Sequence, residues 1–235
     1  MGQRQKMQTL GTIPFFRDAD DIDLGPFDRR CSWRKLDEEQ VAVDFEDTSS
    51  DVYFLVSGEV RILVRTPGGK EVILTDMQAG QYFGELSAID GTPRSANVTA
   101  LTRCDMCIMP ASVFREIIFS SKILCDKVLH LLAGRVRDLN ARVIEHTVLD
   151  VRHRLYAELL RRSQPRAGNP AERIVSPPPY HHVLAERVDC RREQVTRELS
   201  QMNGEGLTEK TRGGLVLKSP ALMNERIQTV LRETS

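Results

Sequence analysis

From about Cys31 to Met109, apolar and polar residues alternate in short runs separated by glycines. Val52-Tyr53-Phe54-Leu55-Val56 is followed by Ser57-Gly58 and then by Val60-Arg61-Ile62-Leu63-Val64. A period of two with turn residues between runs predicts antiparallel β structure. Pro67-Gly68-Gly69 leads from the second run to Val72-Ile73-Leu74 and supplies the fixed and positive φ angles of a hairpin turn. This half is expected to be a β-sandwich or β-roll. After Pro110 the period lengthens, and from Ser121 to Arg162 there is no proline and no glycine except Gly134. Cys125, Val128, Leu132, Val136, Leu139, Val143 and His146 fall at three- and four-residue steps, which gathers them on one helical stripe. A stripe of that length needs a partner, and its heptad-like spacing favours a twin helix in a parallel dimer. Ser163 to Pro170 and Pro177-Pro178-Pro179 are rich in helix breakers and are expected to be connecting loops. No internal repeat is visible, which argues against a solenoid or propeller.

The chain has 235 residues, 40% of them apolar and 28% charged, so it can build one large core or two modest ones. No apolar run approaches the roughly 18 residues of a membrane span, and the N-terminus carries no signal-like apolar region, so a cytoplasmic protein without a membrane partner is expected. Cysteines at 31, 104, 107, 125 and 190 are odd in number and scattered, which favours free thiols over a disulfide framework. Net charge is zero, but Asp150 to Ser235 holds 15 basic against 11 acidic residues, which directs any nucleic-acid contact to the C-terminal third.

Two segments carry candidate chemistry. Gly80-Gln81-Tyr82-Phe83-Gly84-Glu85-Leu86-Ser87-Ala88-Ile89, followed by Gly91-Thr92-Pro93-Arg94-Ser95-Ala96, reads as a strand that ends at a glycine and opens into one turn of helix. Such a junction presents backbone N–H groups to an anion, Arg94 can meet a phosphate as a fork, and Glu85 can accept from a sugar hydroxyl. The plainer alternative is a β-turn with a surface Glu–Arg pair of little energetic value. The second segment runs from Tyr180 to Leu199 and reads as two short helices joined around Val188-Asp189-Cys190. Val183, Leu184, Val188, Val195 and Leu199 point inward, leaving Arg192, Glu193 and Arg197 outward on the second helix. Arginine can grip guanine O6 and N7, and glutamate can accept from cytosine N4. Leu207 to Leu217, interrupted by Arg212-Gly213-Gly214, follows as a hairpin wing.

The first segment resembles the phosphate-binding cassette of cyclic-nucleotide-binding domains, and Cys190 to Arg197 resembles the recognition helix of the cyclic AMP receptor protein (CRP/FNR) family of bacterial transcription regulators. Both lie in that family's order, and the resemblance covers residues 15 to 218. It implies an α+β chain with an N-terminal cyclic-nucleotide-binding β-roll (1–120), a long central dimerisation helix (121–149) and a C-terminal winged helix-turn-helix (150–235). It implies that Gly84, Leu86, Ser87 and Ala88 frame the phosphate, that Glu85 holds the ribose 2′-hydroxyl, and that Arg94 and Ser95 take the cyclic phosphate. Aligned on Leu149-Asp150-Val151, the positions that reach the base are Leu139 and Asn140, where the bacterial family has a Thr-Ser pair. Asn140 offers a donor and an acceptor to a purine edge, and Ser95 is a hydroxyl residue of the kind that favours guanine in the regulatory subunits of cyclic-nucleotide-dependent kinases, whose cassette the first segment also resembles. Cyclic AMP and cyclic GMP both stand as ligands. The implied DNA-contacting set is Arg191, Arg192, Glu193, Thr196, Arg197, His182 and Arg212, on a palindromic TGTGA-like site, with Asp150 as hinge and RNA polymerase as a further partner.

Other readings carry less. Cys104 and Cys107 lie three apart on a strand and face opposite sides, so they are read as packing rather than as a metal or redox pair. An iron-sulfur sensor needs a set of four cysteines, and a haem sensor would draw on Cys31 with His130, His146 or His153. A cupin-type metalloenzyme wants a histidine cluster, and residues 1 to 129 contain no histidine. A regulatory subunit of an enzyme leaves Arg192, Glu193, Arg197 and the wing unexplained. The expectation is a regulator without enzymatic activity and without a metal.

Overall fold

The computed structural model describes residues 8–66, 68–69 and 71–233, which divide into two compact units between Gly134 and Arg135. In the N-terminal unit, single 3-10 turns at Leu10–Thr12 and Pro14–Phe16 precede α1 (Gly25–Asp28), β1 (Ser32–Leu36), β2 (Val41–Val43), β3 (Val52–Ser57) and β4 (Glu59–Arg65). Then come β5 (Glu71–Gln78), β6 (Tyr82–Phe83), α2 (Glu85–Asp90), β7 (Asn97–Ala100), β8 (Cys104–Met109) and α3 (Ala111–Ser120), followed by α4 (Lys122–Val148). The strands form two antiparallel four-stranded sheets ordered β1-β8-β3-β6 and β2-β7-β4-β5. This is the expected roll.

Adjacent strands β3 and β4 belong to different sheets, and the chain turns between them at Gly58, whose φ is +89°. A Cβ there would lie 2.4 Å from the Arg103 carbonyl oxygen and 2.7 Å from Cys104 Sγ, so the corner accepts glycine alone. Between the sheets, Leu36, Leu55, Phe83 and Met106 of the first meet Val43, Val60, Met77 and Val98 of the second. The opposite face of the first sheet is buried as well. Val52, Phe54, Tyr82, Cys107 and Met109 pack against Phe15, Phe16, Val113, Phe114 and Ile117, with Phe15, Phe54 and Tyr82 ring centroids 4.8–5.4 Å apart. Burial on both faces explains why β3 reads as a nearly continuous apolar run. The β4–β5 hairpin closes with Gly69 at φ +81° donating to the Thr66 carbonyl, while Pro67 lies outside the described residues.

In the C-terminal unit α4 stops at Val148, and α5 (Val151–Arg162) is capped by Asp150, whose carboxylate accepts from the His153 backbone N–H at 2.9 Å. After α5 come β9 (Gln164–Arg166), β10 (Asn169–Val175), α6 (His181–Val188) and α7 (Arg192–Gly204). The unit ends with β11 (Thr208–Thr211), β12 (Gly214–Leu217) and α8 (Pro220–Glu233). Residues 163–170, expected as a loop, instead contribute β9 and the start of β10 to a sheet ordered β11-β12-β10-β9. The prolines are tolerated because β9 is an edge strand and the pairing shifts register between Asn169 and Arg173. Leu155, Tyr156, Leu159, Leu184, Val188, Val195, Met202 and Leu217 form its core, with Leu199 only partly buried against it. On α4, Val136, Leu139 and Val143 are 55–65% exposed, whereas Val128 on the same stripe is buried.

Gly58 and Gly69 both have positive φ, but only Gly58 faces backbone where a Cβ would stand. Gly69→Ala is expected to cost about 1 kcal/mol, from backbone preference alone. Gly58→Ala is expected to cost about 3 kcal/mol or more, because the sheet corner must open as well. Urea midpoints of the two variants measure the difference.

Candidate functional site

The first candidate site is built where β6 ends. Gly84 adopts φ +86° and α2 begins at Glu85, with Gly91 at φ +73° closing the helix. A Cβ on Gly84 would lie 2.6 Å from the Asp51 carbonyl oxygen and 2.7 Å from Arg94 Nη1, so the glycine is needed for Arg94 to approach. The Arg94 side chain is buried at 3% exposure. Its Nε donates to Ser49 Oγ at 3.1 Å, Nη1 to the Gly84 carbonyl at 3.1 Å and Nη2 to the Asp51 carbonyl at 2.8 Å. The guanidinium also sits 5.6 Å from the Tyr53 ring centroid, and Tyr53 stacks on Phe83. Its main chain is fixed too, with Arg94 N donating to the Asp47 carbonyl and Glu46 N to the Arg94 carbonyl.

Three of the five guanidinium donors are therefore held by neutral oxygens, and no carboxylate among the described residues lies within ion-pair distance. A buried cation with two donors remaining is suited to an anion that brings its own charge. Glu85, Ser87 and Ala88 are buried beside it, whereas Leu86 and Ser95 are exposed. The surface Glu–Arg pair is thus ruled out, since both side chains lie inside. Of the acceptors that fix Arg94, the Ser49 hydroxyl and the Asp51 carbonyl come from the segment before β3, which no spacing in the sequence marks.

The second candidate site is the α6–α7 pair. Asp189, at φ +52°, ends α6, and the Cys190 N–H returns to the Ala185 carbonyl. Arg191, Arg192, Glu193, Thr196 and Arg197 are all exposed on α7 or its cap, and Arg212 is exposed at the β11–β12 turn. The Thr196 hydroxyl is engaged, 2.7 Å from His181 Nδ1 and 3.1 Å from the Arg192 carbonyl it donates to, and so ties α7 to α6. Arg197 has only a loose contact, at 3.6 Å, with Glu198. Beside the start of α7 lies a depression of about 540 Å³ lined by Pro177–Pro179, Tyr180, His181, His182, Arg192 and Lys210. Tyr180 is 74% exposed and stacks on His182. Tyr180 and Lys210 were not singled out by sequence, although an exposed aromatic directly after three prolines is a usable signal.

Behind this face runs a chain of charges. Glu158, buried on α5, accepts from Arg161 at 2.7 Å and lies 3.5 Å from Arg187 of α6, while Arg161 also donates to Glu145 of α4 at 2.6 Å. On the other side of α5, the Tyr156 hydroxyl accepts from Arg152 and from Arg226 of α8, and both arginines pair with Glu205 at the end of α7. The Asp150 carboxylate meets the His153 ring at 2.8 Å as well as capping α5. Leu139 and Asn140 lie exposed on α4.

Residues 33–121 match the cyclic nucleotide-binding domain and residues 153–226 the Crp-like helix-turn-helix domain. Over 113 residues the chain is 33% identical to the CRP-like cAMP-activated global transcriptional regulator of Mycobacterium tuberculosis H37Rv, covering 48% of this chain and half the length of that relative. Over 205 residues it is 27% identical to the cAMP-activated global transcriptional regulator CRP of Pasteurella multocida, covering 86% of this chain and 93% of the relative. In fold it is similar to a CooA mutant from Carboxydothermus hydrogenoformans, with a TM-score of 0.73 at 16% identity over 85% of this chain and 88% of that one. A cyclic-nucleotide-binding roll followed by a winged helix-turn-helix defines a transcription regulator rather than an enzyme. The chain belongs to the CRP/FNR family. Among the described residues no helix is long and apolar enough to cross a membrane.

The charged surroundings of the reader set a pH dependence. Burial holds the His181 imidazole below its ordinary value, helped by the positive charges of Arg192 and Lys210, and burial with Arg154 does the same to His146. A depressed histidine pKa means that the unfolded chain binds more protons below about 6.5. Stability from these groups is present above that pH and is lost as pH falls toward the folded values. The urea midpoint followed by far-UV circular dichroism should fall between pH 7.5 and about 5.5, and a His146→Gln/His181→Gln variant should show a flatter slope.

Proposed function

We propose that the chain is a homodimeric, ligand-gated DNA-binding regulator, with a cyclic nucleotide bound in the roll and a palindromic site read by α7. The observation that carries this reading is the buried Arg94 guanidinium, held by neutral oxygens and lacking a carboxylate. In it, the cyclic phosphate takes the remaining Arg94 donors together with Ser95 and the backbone N–H groups from Gly84 to Ala88. Glu85 accepts from the ribose 2′-hydroxyl. Cyclic AMP is favoured by the relatives whose names call them cAMP-activated, and cyclic GMP is the alternative that Ser95 supports. Leu139 and Asn140 approach the base from α4, whose exposed stripe supports pairing with a second copy. The domain limits are 1–120 for the sensor, 121–149 for the dimerisation helix and 150–235 for the reader.

Ligand binding shifts the population between two arrangements of the readers about Asp150. In the competent arrangement the two α7 helices stand about 34–36 Å apart and enter successive major grooves. Arg192, Glu193 and Arg197 read a TGTGA-like half-site, while Arg191, Thr196, His182 and Arg212 hold the backbone. RNA polymerase is the partner through which bound protein acts, which places the protein in the cytoplasm.

Fluorescence anisotropy of a labelled TGTGA-N6-TCACA duplex, at one fixed salt concentration and with cyclic AMP or cyclic GMP, tests the whole scheme. Binding is expected to tighten with one nucleotide. Arg94→Lys keeps the charge and loses the fork, so ligand affinity should drop by about 1.5–3 kcal/mol, roughly 10- to 150-fold, with the circular dichroism spectrum unchanged. An undiminished ligand response in that variant removes Arg94 from the phosphate site. Glu193→Ala should relax base preference by about 1–3 kcal/mol at one position while leaving non-specific binding in place. A uniform loss across sequences would make Glu193 a structural residue instead.

A further inference from the structure

Alternation along β8 sends its two cysteines to different places. Cys104 joins the core between the sheets, donating to the Glu59 and Thr102 carbonyls, and Cys107 joins the core beneath the helices. The cysteine packed against the same cluster as Cys107 is Cys31, 76 positions earlier in the chain. The β1–β8 register explains the meeting. Trp33 stands opposite Cys107, so Cys31, two residues before Trp33, lies on the same face one diagonal step away. Cys31 packs against the buried cluster that contains Cys107, and its own thiol donates to the Phe27 carbonyl 3.4 Å away. Cys107 is fully buried, whereas Cys31 is only half-buried at the open end of β1, the edge strand of its sheet.

We propose that Cys31 and Cys107 are a peroxide-reactive dithiol, with Cys31 as the attacking sulfur and Cys107 as the resolving one. Accessibility assigns the first role to Cys31, half-buried where Cys107 is fully buried, and the neighbouring Cys107 thiol holds the Cys31 pKa below the ordinary thiol value. The neighbouring Cys31 thiol, with burial, pushes the Cys107 thiol up, so it waits as a protonated partner. Cys104 and Cys190 are raised by burial and have no such neighbour. In the first step the Cys31 thiolate attacks one oxygen of the hydroperoxide, the O–O bond breaks, and the leaving oxygen departs as hydroxide or alkoxide. Cys31 becomes a sulfenic acid, oxidised by two electrons. In the second step the Cys107 sulfur displaces that hydroxyl, the S–S bond forms, and the Cys107 proton leaves with it as water. Two thiols and one hydroperoxide thus give one disulfide, one water and one further water or alcohol.

The test uses the full chain, reduced, freed of small thiols and exposed to a few equivalents of hydrogen peroxide, then denatured, alkylated and measured by intact-mass and peptide mapping. The expected product is lighter than the reduced chain by about 2 Da before alkylation. Three of its five thiols should remain alkylatable, and the map should hold a Cys31–Cys107 cross-link that dithiothreitol removes. Cys31→Ser, altered at a half-buried position, should keep its four thiols under the same exposure. Cys107→Ser should leave a Cys31 sulfenic acid that dimedone captures. Should the core change in that variant prevent folding, the cross-link map of the unaltered chain decides alone. Five alkylatable thiols after peroxide, a link between any other pair, or oxidised Cys31 beside an intact Cys107 thiol would each overturn the assignment.

Discussion

A guanidinium buried to 3% exposure must have its donors met, and the N-terminal unit is shaped around meeting those of Arg94. Its acceptors come from residues far apart in sequence, with Ser49 and Asp51 before β3 and Gly84 after β6, while Tyr53 of β3 supplies the ring beside it. Each is neutral. Carbonyl dipoles offset part of the cost of removing the cation from water, but they bring no net charge to balance it. A binding loop built this way is poised rather than relaxed. The same carbonyls that hold the side chain also aim its remaining donors, so for the phosphate of the proposed function the arrangement is fixed in advance and little ordering remains to oppose binding. Gly84 belongs to this logic, because any side chain there would meet Asp51 and Arg94 together.

In the C-terminal unit the comparable constraint is Glu158. Its two oxygens face Arg161 and Arg187, and Arg161 extends the chain to Glu145 near the end of α4. Breaking one member of a buried pair costs about 3–5 kcal/mol, much more than any exposed bridge contributes. The last turns of α4, the middle of α5 and the end of α6 are therefore held in one register. Glu205 with Arg152, Arg226 and Tyr156 does the same for α5, α7 and α8. Glu145 and Arg161 thus tie α4 to α5 across the break at Leu149–Asp150.

Much of this was legible in the order of residues. The period of two and the turn glycines are local signals that survive into the structure because tertiary packing agrees with them, and the long stripe of α4 and the arginine-glutamate face of α7 appear at the expected positions on helices, largely exposed. The exceptions share a cause. β9 and β10 were hidden because Pro165 and Pro170 signal a loop, and only the sheet order makes β9 an edge where a missing N–H does no harm. Arg94 was visible as a residue, but not as a buried one, because its partners are backbone oxygens. The closeness of Cys31 and Cys107 depends on strand register, which a one-residue slip would reverse and which the alternation by itself does not fix. The depression beside α7 joins a proline-rich loop to a strand of the wing, and no continuous stretch of sequence contains it.

The exposed stripe of α4 is the feature behind the proposed pairing with a second copy. Val136, Leu139 and Val143 each leave more than half of their surface in water, although their spacing is that of a packed helix. Covering a large aliphatic side chain is worth about 1.5–3 kcal/mol, so three on each of two helices would supply a substantial drive to pair. Asn140 follows Leu139 directly and lies within the same stretch. A polar residue at the border of an apolar seam fixes register as well as offering hydrogen bonds. If the purine edge is met at Leu139 and Asn140, the contacts that recognise the base are made by the surface that joins the two copies, and affinity for ligand and affinity between copies are then linked by thermodynamic necessity. Under that proposal, ligand recognition is not separable from the geometry of pairing.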